Sequence, residues 1–224
     1  MGSKKFLILF SLFAILFSCT LFADDGFMPK WKLGDSWVIE AKYINLKDQG
    51  TTWLPPIRWR FEVKAQKAFN NEPCWVLHIT PESRPDLKVQ SILCLSQKDL
   101  RPIRVVDIFP LRGEAKSKTK NFEGARISPL FSDDSMIPYD FPMFPLNAAV
   151  EGVGSAVVAG EKASKVDEIT FVEDVTQNWA PTTDGFKVVL QDGGGKGQIT
   201  QTWKEGSPWA TEMKSYSVVY TLVK

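Results

Sequence analysis

The sequence predicts a mainly β protein. The expected form is a single curved antiparallel sheet, or a half-open barrel, of about ten or eleven strands with an apolar covering segment. Three observations predict it. Apolar and polar residues alternate with a period of two in stretch after stretch, as at 57–65 (IRWRFEVKA), the pattern of a strand with one buried side. The connections between these stretches are short and rich in turn formers. Helical periodicity is nearly absent, and Gly152, Gly154 and Gly160 argue against a long helix in the least regular region, 127–165.

Residues 1–23 read as an export signal. Lys4 and Lys5 are followed by a stretch, 6–17, that is apolar but for Ser11, and Ala23 precedes Asp24 and Asp25. That is the order of a positive region, an apolar region and a small residue at a cleavage site. The apolar run falls short of the roughly 20 residues a membrane-spanning helix needs. Two processing routes are open. Cleavage after Ala23 releases a chain starting at Asp24. Alternatively, 16–19 (LFSC) resembles a bacterial lipobox, in which case 1–18 are removed and Cys19 carries the lipid anchor. The remainder, 24–224, is expected to fold as one β-rich domain, either periplasmic or tethered to the outer membrane through lipid.

The first strands lie around 37–43, where Trp37, Ile39, Ala41 and Tyr43 alternate, and at 57–65. Residues 74–80 and 88–95 come next, with turn formers such as Ser83, Pro85 and Asp86 between them. An antiparallel pairing with Cys74 opposite Cys94 sets Val76 against Ile92, His78 against Gln90 and Thr80 against Lys88. The other face then carries Trp75 with Leu93, Leu77 with Ser91 and Ile79 with Val89. Two cysteines in an exported chain are expected to form a disulfide. Closing that loop would stabilise by about 3 kcal/mol in the chain-entropy account. His78, the single histidine, then stands as a bystander beside Gln90.

Ile103, Val105 and Phe109 continue the meander. Lys116, Lys118 and Lys120 alternate with Ala115, Ser117 and Thr119, which suggests an edge strand whose lysines guard against aggregation; an anion or headgroup site is the functional alternative. Residues 188–191 and 199–203 flank Asp192-Gly193-Gly194-Gly195-Lys196-Gly197. This is a hairpin turn and not a phosphate loop, because Leu190 stands where the first glycine belongs and Gly197 where Ser or Thr is required. Tyr216, Val218, Tyr220 and Leu222 form the last strand.

Composition narrows function. The chain has 27 basic and 26 acidic side chains and a net charge of +1, which leaves no footprint for nucleic acid. Signal removal takes away Lys4 and Lys5 and no acid. One histidine excludes a multi-histidine metal centre, and no metal or cofactor is expected. There is no nucleophile elbow, since 152–156 (GVGSA) lacks the G-x-S-x-G order. No enzyme is expected, although a hydrolase built on two sequence-distant carboxylates is a third reading.

The unusual stretch is 127–146 (ISPLFSDDSMIPYDFPMFPL). Four prolines bar regular helix or central strand, yet it is strongly apolar, unlike a solvated loop. It is expected either to plug the sheet's apolar face or to act as a lid over a lipid site lined by Phe131, Ile137, Phe141, Met143 and Phe144.

Taken together, the export signal, the meander and the apolar covering segment resemble the periplasmic lipoprotein-localisation carriers and their relatives, over 36–224. That resemblance implies a half-open barrel holding acyl chains in its concavity, with lipid or lipoprotein as partner. Those carriers cover the mouth largely with helices, whereas 127–146 is broken by proline. The alternative is an envelope structural or interaction module with a solid core and no ligand.

Overall fold

A computed structural model describes residues 28–83, 86, 88–121, 154–166, 169–192, 198–215 and 218–223. The expected fold class holds. The described strands are β1 (Ser36–Tyr43), β2 (Ile57–Phe69), β3 (Glu72–Pro81), β4 (Gln90–Ser96), β5 (Pro102–Leu111), β6 (Glu114–Asn121), β7 (Gly154–Val166), β8 (Ile169–Pro181), β9 (Gly185–Asp192), β10 (Gln198–Lys204), β11 (Glu212–Lys214) and β12 (Val218–Val223). All pair antiparallel in one twelve-stranded sheet of order β6-β5-β4-β3-β2-β1-β12-β11-β10-β9-β8-β7. The sheet is open and uncurled, the single-sheet form of the expectation and not the half-barrel form.

The order is a meander with an offset. The first strand pairs with the last at the centre, Val38 opposite Val223 and Tyr43 opposite Val218. The two edges, β6 and β7, are consecutive in sequence. Chain connectivity therefore makes residues 122–153 the link between opposite edges of the sheet.

One face is apolar. Trp37, Ile39, Ala41 and Tyr43 of β1 lie opposite or beside Ile57, Trp59, Phe61 and Val63 of β2. The same cluster runs outward to Leu93 and Val105 on one side and to Val188 and Leu190 on the other. The opposite face is charged at its centre, where Arg58 pairs with Glu40 at 3.0 Å and Arg60 with Glu82. Alternation along each strand produces this division.

Two hairpins close through two-residue turns with both residues left-handed. These are Asn70-Asn71, at φ 49° and 64°, and Arg112-Gly113, at φ 54° and 84°. Positive φ at both positions is the type I′ requirement, and its twist matches that of the flanking strands. Gln198 opposite Gln191 makes β9 and β10 a hairpin as expected, although residues 193–197 lie outside the described ones.

The 74–96 hairpin needs a correction. Its register is shifted by two residues: Cys74 lies opposite Ser96 and Cys94 opposite Val76, with His78 opposite Ile92. Both cysteines are free and buried, and the expected disulfide is not formed. Cys74 Sγ instead donates to the Lys67 carbonyl at 3.1 Å. A two-residue shift leaves every side chain on its expected face, so alternation could not detect it. Diagonal cross-strand neighbours stand wider apart than a disulfide allows.

Candidate ligand-binding face

Residues 28–35 and 205–211 cover the centre of the apolar face, and each brings a tryptophan. Trp31 stacks on Trp37 with centroids 5.2 Å apart and on Trp209 at 6.1 Å, and meets Trp75 edge-on at 5.9 Å. Trp209 is fully buried and lies 4.9 Å from the Phe61 ring and 5.5 Å from that of Trp37. Trp31 Nε1 donates to the Pro208 carbonyl at 2.8 Å, which clamps one covering segment to the other. Trp37 Nε1 is buried with no hydrogen-bond partner among the described residues. Such a donor costs about 1–3 kcal/mol.

Polar groups punctuate the apolar face. Trp203 Nε1 donates to Gln201 Oε1 at 3.2 Å, and Gln201 Nε2 reaches Tyr220 Oη at 3.4 Å. Burial raises the Tyr220 phenol well above the ordinary tyrosine range. Toward the β6 edge, Ser91 Oγ donates to Asp107 Oδ1 at 2.9 Å. Burial raises the Asp107 carboxyl, against the opposing effects of that hydrogen bond and of Lys118. Asp107 was missed by sequence reasoning, although a signal existed: it fills the gap in the Ile103, Val105, Phe109 alternation.

β6 is an edge strand, as its composition suggested. Its lysines, however, hold apolar-face positions of the register: Lys116, Lys118 and Lys120 pair with Phe109, Asp107 and Val105. Inward-pointing charge at a rim is an established protection of free edges.

The opposite face carries a small cluster of Cys74, Cys94 and Ile103 backed by Phe69 and Val76. The Arg104 guanidinium sits over the Phe69 ring at 5.4 Å. Burial pushes the Cys94 thiol up to about 11 and also raises that of Cys74. These are packing cysteines, far from nucleophilic. His78 Nε2 lies 2.7 Å from Gln90 Oε1, a diagonal contact that preserves the expected neighbour despite the shifted register.

Phe131, Ile137, Phe141, Met143 and Phe144, and the candidate anchor Cys19, lie outside the described residues. No protein-family model matches the chain, and no curated protein or solved structure is significantly similar to it.

Proposed function

We propose that the chain is an exported, non-enzymatic protein of the cell envelope that binds lipid or lipoprotein against the apolar face of its sheet. It is freed after Ala23 or anchored through Cys19. The observation that supports this is topological. Among the described residues the edges of the apolar-faced sheet are β6 and β7, and the chain joining them contains the proline-broken apolar stretch 127–146. An apolar sheet face needs a cover, and Phe131, Ile137, Phe141, Met143 and Phe144 supply apolar side chains at a length that can reach across. Met is suited to ligands of varying shape.

Native mass spectrometry of protein purified from its own envelope tests the reading. A bound acyl-bearing species is expected, with a mature mass starting at a lipidated Cys19 or at Asp24. Phe141→Ala with Phe144→Ala should cut uptake of a fluorescent fatty acid while leaving the fold intact. If the wild type takes up none and the double variant unfolds readily, the ligand reading fails.

The second reading is an interaction module with a solid core. The stacking of Trp31, Trp37 and Trp209 over the sheet centre favours it, because that part of the face is already filled.

A further inference from the structure

The loops of this sheet are unequal at its two ends. Among the described residues, four large hydrophobic side chains are exposed, and three of them, Trp53 (45%), Leu54 (39%) and Leu111 (50%), stand at one end. That assignment follows from register. The β1–β2 loop leaves at Tyr43 and returns at Ile57, while the β5–β6 turn lies between Leu111 and Glu114, and antiparallel pairing through β3 and β4 puts both on the same side. From β2 to β5 is three strand spacings, about 14 Å, so one flat surface can touch both tips.

The Trp53 tip is held in shape. Asp48 accepts from the backbone amides of Gly50 and Thr51, each at 3.1 Å, and from the Thr52 hydroxyl. The Leu54 amide donates to the Tyr43 carbonyl at 2.8 Å. A tip that displays Trp53, Leu54, Pro55 and Pro56 to solvent from a braced loop is not a collapsed one.

Charge at this end has one dominant sign. Lys42, Lys47, Lys88, Arg112 and Lys214 are exposed here. Of the acids at this end, Glu40 and Glu82 are taken by Arg58 and Arg60, Glu114 by Lys116 and Asp48 by its own loop, while Asp86 is exposed between β3 and β4. At the far end Arg101 pairs with Glu72 and Lys204 with Asp184, and Lys98 is exposed.

From these observations we infer that this end of the sheet docks on an anionic lipid bilayer, with Trp53, Leu54 and Leu111 entering the headgroup region and the cations meeting lipid phosphates. Tryptophan suits that boundary because its ring is apolar and its N–H polar. Each basic side chain near such a surface adds to binding, and salt screens the effect. The inference is independent of whether the apolar face takes a ligand.

The test is fluorescence quenching of the full chain by bromine-labelled phosphatidylcholine vesicles, with and without phosphatidylglycerol. Quenching is expected with phosphatidylglycerol at low salt, and it should largely disappear in Trp53→Phe, which keeps an aromatic ring in the loop. Leu111→Ser with Arg112→Ser retains Trp53 and should lower vesicle affinity about tenfold or more. Each of Lys47→Gln and Lys88→Gln should lower it about fivefold. Unchanged quenching in Trp53→Phe, equal quenching without phosphatidylglycerol, or none in either vesicle would overturn the inference.

Discussion

Replacing Trp209 by alanine tests whether the segment that carries it completes the core. Trp209 has no exposed surface and touches the rings of Trp31, Trp37, Phe61 and Trp203. Truncation removes about 150 Å² of buried apolar surface, worth roughly 4 kcal/mol at about 25 cal/mol per Å². The site has little room to collapse, because its neighbours are themselves large rings fixed on β1, β2 and β10. The loss should therefore sit near the top of the range for aromatic truncation, about 4–5 kcal/mol. For a domain whose total stability is about 5–15 kcal/mol, that moves the urea midpoint far to the left. Urea unfolding followed by far-ultraviolet circular dichroism measures it, with the slope checked for constancy. Trp209→Phe should lose less than half as much. A loss below about 1 kcal/mol for the alanine variant would mean that 205–211 lies on the sheet without closing it, and the reasoning here would be refuted.

Three further outcomes are expected. Cys74 and Cys94 should both react with a thiol reagent in unfolded, unreduced protein, and resist alkylation in the folded state until the pH approaches the raised value near 11 for Cys94; a mass two hydrogens lighter, returning on reduction, would show a bond. Burial holds the Asp107 carboxyl above its ordinary 3.8, so the folded state binds this proton more tightly than the unfolded one. The group's contribution is then most favourable below about pH 4 and declines as pH rises from there through the raised folded value. Thermal unfolding should accordingly find Asp107→Asn at least as stable as wild type at pH 7 and flatter between pH 4 and neutrality, and a clear loss at pH 7 would contradict this. Finally, a Cβ on Gly185 would stand 1.7 Å from the Trp203 carbonyl oxygen, so Gly185→Ala should part β9 from β10 and cost about 2 kcal/mol or more, read as a lowered urea midpoint.

Much of the fold was legible because alternation reports burial directly. The stretch 57–65 appears as the first part of β2, and every apolar residue named at 37–43 is in the core. Alternation is blind to shifts of two residues, which is why the faces of β3 and β4 were right and their register, and with it the disulfide, was wrong. β7 went unread because its sequence, GSAVVAGEKASKV, mixes small and charged residues without a sustained apolar stripe, as an edge strand can. The covering role of Trp31 and Trp209 was not legible at all. Each sits in a short irregular segment, and the hydrogen bond that ties the two segments, from Trp31 to Pro208, joins positions 177 apart in sequence, which no local pattern encodes.

The central place of the β1–β12 pair has a consequence for how the chain matures. The sheet's middle seam closes only when Val218–Val223 meets Ser36–Tyr43, so its most deeply placed contact is also among its most distant in sequence. Contacts of that kind slow folding. A ribosome-bound or translocating chain from which 218–223 has not yet emerged can form the strands on either side but not the pairing between them. Deleting 218–223 should therefore leave β1 and β11 as new unpaired edges on either side of the gap. For a chain proposed to cross a membrane before it folds, leaving the central pairing to the last strand of the sheet delays compaction until that strand has emerged.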